Sequence, residues 1–133
     1  MHVEISKFLI SPGSTMSSCL EAMYATGKGI ILVVDDTVRL LGTITDGDLR
    51  RSVLAGLDLS ESAEQFLGEK VGGDVDPVTA PADLSSTELL RVFEESGVKQ
   101  LPLVDDEERV VDLVTIEMLV PDHLAPLSAV IMA

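Results

Sequence analysis

A chain of 133 residues, 46% of them hydrophobic, has enough apolar side chains for one good core or two small ones that share an interface. Its 23 acidic residues against 9 basic ones give a formal net charge of -14, which repels a nucleic-acid backbone and offers anionic lipid no basic face. No apolar run approaches the roughly 20 residues that cross a bilayer, and the opening MHVEISKFLISPG carries too short an apolar segment for a signal peptide, so a cytoplasmic protein is expected.

In chain order, residues 3–10 (VEISKFLI) predict an apolar lead-in strand, broken by Ser11, Pro12 and Gly13. Ser14 or Thr15 then caps a helix that carries Met16, Cys19, Leu20 and Met23 on one face and ends near Gly27. Cys19 is the single cysteine, which excludes an internal disulfide, and its spacing predicts a core position. The run IILVVDD from Ile30 is too apolar for a half-exposed strand; it predicts one buried on both faces, turned at Asp35 and Asp36 and followed by a strand over 39–45. The next helix stops around Gly56. Ser60 then caps a segment, ESAEQFLG, whose Phe66 and Leu67 face inward, and Gly68 to Gly73 reads as a hinge.

From Val75 the same order starts again: DPVTAPAD as lead-in and break, a helix from Ser85 to Ser96 ended by Gly97, a buried strand QLPLV, a turn at Asp105 to Arg109, a strand VVDLV, then Thr115. Gly27 matches Gly97, Asp35 matches Asp105 and Thr45 matches Thr115, always 70 residues on. No gap is needed between Leu20 and Thr45; only the break before the first helix requires a one-residue adjustment, Pro12 against Pro81. A repeat of this length predicts two similar α/β units that bury faces against each other, over 1–67 and 68–120, with 121–133 as a linker and a further strand.

The stretch LLGTITDGDLRR, Leu40 to Arg51, is the candidate site. An apolar strand gives way there to a helix whose first-turn amides have no partner in the helix and favour an anion. Arg50 and Arg51 form the one adjacent basic pair in the chain. The same pattern is also a helix cap, with Thr45 satisfying an amide, Asp48 favoured by the helix dipole, and Arg51 three residues further on able to pair with it. Spacing alone leaves both readings open. His2 and His123 lie near the ends with no partner at ligand spacing, so neither a metal site nor a histidine-based triad is indicated. With no nucleophile–base pair and no complete phosphate loop in the sequence, the chain is not expected to be an enzyme as it stands, and no cofactor is required.

Over residues 8–120 the chain resembles the tandem CBS domain, a family named for cystathionine β-synthase. Each half looks like one unit: helix, strand GIILVVDD or VKQLPLVDD, strand LLGTIT or VVDLVT, and closing helix. The first half carries the family's strand-to-helix nucleotide motif, glycine then Thr-x-x-Asp, as Gly42, Thr45 and Asp48. The resemblance implies two CBS units packed through their sheets about a pseudo-twofold axis, a homodimer, and AMP, ADP or ATP as a regulatory ligand. Thr45 would touch phosphate, Asp48 the ribose hydroxyls, and Arg51 with Arg50 the phosphate charge. Adenine would need an apolar slot, for which the start of the buried strand, Gly29, Ile30 and Ile31, would supply apolar surface and backbone groups. The residue types suit these roles: a carboxylate accepts from both ribose hydroxyls, a hydroxyl donates to a phosphate oxygen, and Gly42 has no side chain to block backbone approach. In the second half Asp112 stands at the place of Gly42 and Met118 at that of Asp48, so no ordinary nucleotide pocket is expected; Thr115 is kept as a helix cap.

After PDHLAPL, the run AVIMA is similar to the opening strand of sugar-phosphate nucleotidyltransferases, where an apolar strand ending in Met-Ala leads into a glycine-rich loop. The expectation is a CBS pair ahead of such a domain. TDGDLRR also looks like the motif of CBS pairs on those enzymes and on sugar-phosphate isomerases. Two functions compete: a sensor whose nucleotide biases the attached enzyme, and an assembly module that only dimerises its parent while Thr45 and Asp48 form a cap.

Overall fold

Each half starts its long helix at a hydroxyl and ends it at a glycine. In the computed structural model, which describes residues 4–69 and 77–119, Thr15 Oγ1 accepts from the Ser18 amide at the start of α1 (Met16–Thr26). Ser85 Oγ accepts from the Glu88 amide at the start of α4 (Ser86–Ser96). Gly27 and Gly97 close the two helices at φ 68° and 76°, a left-handed conformation that side chains with a Cβ disfavour.

The strands follow with the same correspondence. β2 (Ile30–Val34) pairs antiparallel with β3 (Leu40–Thr45) and parallel with the two-residue β1 (Leu9–Ile10). β5 (Gln100–Val104) pairs in the same way with β6 (Val110–Thr115) and β4 (Ala80–Pro81). All of β2 is buried, as its unbroken apolar run predicts for a strand covered on both faces. Ile31 and Val33 join Met16, Cys19, Met23 and Ile44 in the core of the first unit. Ile30, Leu32 and Val34 point the other way and pack with Phe8, Val110 and Leu113 in a second apolar cluster, shared between the units. Leu89, Phe93, Leu101 and Leu103 form the core of the second unit. The α/β pair of similar units is therefore as expected, with the shared sheet faces between them.

The hairpin turns complete the contact. In the first, the Asp35 carboxylate accepts from the Thr37 hydroxyl and from the amides of Thr37 and Arg39, and these bonds, the hydroxyl's foremost, hold it below the usual carboxylate range. Asp105 plays the same part in the second turn. The turns then join: the Val110 amide donates to the Val38 carbonyl at 2.9 Å, and Arg39 Nε donates to the Glu107 carbonyl at 3.1 Å.

Several local expectations are corrected. Residues Ile5–Phe8 form a 3-10 turn rather than a strand, because the turn buries Phe8 in the cluster between the sheets. The one-residue adjustment disappears: Ile10 lies opposite Val33 and Ala80 opposite Leu103, a spacing of 70 at both places. Ser11, not Pro12, is thus the counterpart of Pro81. The third helix of the first unit, α3 (Ala63–Glu69), is capped by Ser62, whose Oγ accepts from the Gln65 amide. Ser60 instead bonds the Asp58 carboxylate through both its amide and its hydroxyl. Gly68, expected to open a hinge, belongs to α3; the rest of that hinge after Glu69, and the run AVIMA, lie outside the described residues.

Candidate functional site

β3 ends at Thr45, and α2 (Asp46–Leu54) begins with the next residue. Thr45 Oγ1 accepts from the Asp48 amide at 3.2 Å, and Asp48 Oδ2 accepts from the Thr45 amide at 3.0 Å, a complete capping box. The Asp46 amide is held by the carbonyl of Gly29, at 3.1 Å. Arg51 Nη2 donates to Asp48 Oδ1 at 2.7 Å. Asp48 is only 5% exposed, whereas Arg51 is 52% exposed. A buried carboxylate is tolerable here because an amide, a guanidinium and the positive end of a helix all face it. Thr45, Asp48 and Arg51 are therefore brought together. Arg50 lies exposed on the same helix.

The matching junction of the second unit is built differently. Thr115 ends β6, and α5 (Ile116–Leu119) follows, its first amide held by the Lys99 carbonyl at 3.1 Å as Asp46 is by Gly29. Thr115 is 3% exposed and its hydroxyl makes no hydrogen bond. The expected cap role of Thr115 is thus not taken up. Met118 has no carboxylate with which to complete a box, and it packs against the apolar cluster of its own unit instead.

Among the described residues, no group of three or more His, Cys, Asp or Glu is placed to hold a metal ion, and no helix is long and apolar enough to cross a membrane. Two surface grooves, of about 290 and 660 Å³, lie at the turn ends of the sheets beside Asp35 and Asp105, at the opposite end of β2 and β5 from Thr45 and Thr115.

The family model described as CBS domain matches residues 5–55 and 71–120. The chain belongs to the CBS domain family. This CBS pair is 29% identical over 110 residues to the arabinose 5-phosphate isomerase KdsD of Pseudomonas aeruginosa, covering 82% of this chain and 32% of the isomerase. It is 26% identical over 116 residues to the inosine-5'-monophosphate dehydrogenase of Aquifex aeolicus, covering 87% of this chain and 22% of the dehydrogenase. The chain thus spans about a third or less of these curated relatives. Among solved structures it is similar to Hypoxic Response Protein I with two coordinated zinc ions, at 26% identity and a TM-score of 0.69, over 87% of this chain and 89% of that one. It shares the fold of a CBS domain pair/ACT domain protein from Thermotoga maritima, at 22% identity and a TM-score of 0.65, over 94% and 99% of the two chains.

Within the CBS pair, three of the candidate site residues, Ile30, Ile31 and Gly42, have surroundings that the sequence does not show. The side chains of Ile30 and Ile31 do not line one slot, because successive strand residues face opposite ways: Ile30 enters the cluster between the units and Ile31 the interior of the first. Gly42 has its missing side chain filled by the protein itself. A Cβ there would stand 2.8 and 2.9 Å from the two Cδ atoms of Leu67 on α3. Gly42→Ala is accordingly expected to cost about 1–3 kcal/mol by overpacking, read as a lower denaturation midpoint. The same substitution should cost less in a Leu67→Ala background. A Gly42→Ala protein with an unchanged midpoint would show that Leu67 yields freely.

One contact has no signal in the sequence beyond the repeat. Gln100 Nε2, in the second unit, donates to the Lys28 carbonyl of the first, at 3.1 Å.

Proposed function

We propose that this CBS pair is a regulatory module that takes an adenine nucleotide at the Thr45–Asp48 junction and thereby biases an attached enzyme. The observation that supports this most directly is the Arg51–Asp48 pair, a half-exposed guanidinium resting on a buried carboxylate at a helix start. In a chain of net charge -14, Arg51 is the cation best placed to meet a phosphate there. Its transfer from Asp48 to the phosphate would take the guanidinium off the carboxylate that is proposed to meet the ribose hydroxyls, while the Thr45 amide stays on Oδ2. Thr45 Oγ1 accepts from Asp48, and its own O–H remains a donor for a phosphate oxygen. For the adenine, Gly29 and the backbone of Ile30 and Ile31 lie beside the junction, Ile30 being paired with Thr45 and Ile31 with Ile44 across the sheet. A nucleotide acts on the attached enzyme only in so far as it binds two arrangements of the pair with different affinity.

In this proposal the CBS pair is non-catalytic and the chemistry belongs to the enzyme it regulates. The run Ala129 to Ala133 supports a sugar-phosphate nucleotidyltransferase as that enzyme; the likeness to KdsD favours a sugar-phosphate isomerase as the second reading. A homodimer in the cytoplasm is part of the same proposal, and the exposed Tyr24, Val53 and Leu54 supply apolar surface on α1 and α2 for a second copy. The competing assembly reading draws on the capping box, which is complete without any ligand.

Isothermal titration of the chain with AMP, ADP, ATP and adenosine at two salt concentrations tests the choice. Saturable one-to-one binding is expected, weaker for adenosine by about tenfold or more, because a hydrogen bond to a charged group is worth about 1.5–3 kcal/mol. Arg51→Ala should bring AMP close to adenosine. Flat titrations from a stable dimer would leave an assembly module with Thr45 and Asp48 as its cap.

A further inference from the structure

The junction that carries Thr45 and Asp48 rests on Gly29. The Gly29 carbonyl holds the first helical amide of α2, that of Asp46, at 3.1 Å. The Asp46 carboxylate lies 3.5–3.6 Å from where a Gly29 Cβ would stand, and Gly29 itself has φ 72°. The orientation of that residue therefore bears on the first amide of α2, beside the capping box of Thr45 and Asp48. The peptide leading into Gly29 is planar, so its carbonyl, that of Lys28, turns only together with the Gly29 amide. That carbonyl is the one to which Gln100 Nε2 donates, 72 residues away and from the opposite unit.

We infer that Gln100 is a positioning residue through which the second CBS unit orients the Lys28–Gly29 peptide and so steadies the strand-to-helix junction of the first. The tie runs one way. The repeat places Ile30 at the counterpart of Gln100, and an isoleucine has no donor to return the contact. The unit that is steadied is the one with the complete capping box; the unit that does the steadying has the unbonded Thr115 hydroxyl at its own junction. The inference takes its functional meaning from the nucleotide reading of Thr45 and Asp48, but its test needs no nucleotide.

Amide hydrogen exchange followed by NMR on the full chain is the test, with Gln100→Met as a variant of similar length that lacks the donor. Exchange of the Asp46 amide is expected to speed up about two- to tenfold, the factor one ordinary hydrogen bond is worth. The amides of Met16 and Ala63, held inside the first unit by Glu61 and Ser14, and that of Ile116, held by Lys99, should exchange as before. Gln100→Lys, which restores a donor at similar reach, should restore Asp46 protection. Unchanged exchange at Asp46 in Gln100→Met would overturn the inference, and so would equal acceleration at all four amides, since that is a loss of global stability. Because no ligand is present, flat nucleotide titrations would leave this result standing, and nucleotide binding would not rescue it if Asp46 failed to respond.

Discussion

Asp48→Ala is expected to abolish nucleotide binding and to lower stability by about 1–2 kcal/mol. The stability term follows from the capping box: the substitution removes the acceptor of the Thr45 amide and the partner of Arg51, and loss of a cap costs about 0.5–2 kcal/mol. The binding term follows from chemistry, because alanine offers nothing to a ribose diol and leaves Arg51 without its resting place beside the site. Asp48→Asn separates the two effects. Its side-chain carbonyl still accepts from the Thr45 amide, so most of the cap should survive. A neutral amide replaces the charged acceptor that meets the ribose hydroxyls, so affinity should fall even where stability does not. Titration and chemical denaturation of the same preparations provide both readouts. An Asp48→Ala protein that binds nucleotide as tightly as the parent would remove this junction from consideration as the ligand site and leave Asp48 as a cap.

Leu32→Ala should produce the largest loss of stability, about 2–5 kcal/mol, the range for truncating a fully buried leucine. Leu32 lies in the apolar cluster between the sheets, where residues from β2 meet Val110 and Leu113 of the second unit. The cavity therefore opens in the surface that the two units share. Denaturation followed by circular dichroism should change from one transition to two as the units cease to unfold together. Ile31→Ala, whose side chain lies in the core of the first unit alone, should weaken that unit without the same loss of cooperativity. A single transition and a loss below about 1 kcal/mol in Leu32→Ala would show that the turns, through Val38, Arg39 and Glu107, do the coupling instead.

Much of this CBS pair was legible because it depends on residues close together in the chain. The caps at Thr15, Thr45 and Ser85 join groups three residues apart, and the glycine stops at 27 and 97 depend on one backbone angle each. The unbroken apolar run of β2 announces burial on both faces, and the spacing of 70 announces two units. Local rules also explain why the site stayed ambiguous. A threonine and an aspartate three residues later cap a helix whether or not a nucleotide uses them, so the capping box in the structure is common to both readings.

The sequence by itself determined the number of units, the order of their elements, the ends of their long helices and the residues at the first junction. Tertiary structure alone decided what each of those residues faces. Leu67 occupies the space beside Gly42, Ile30 and Ile31 part to opposite sides of their sheet, Phe8 turns inward from a 3-10 turn, and Gln100 reaches Lys28 from the other unit. Capping and termination are settled within a turn of chain, where the sequence supplies both partners. The space beside a given Cα is filled by whatever the whole fold brings there, from tens of residues away.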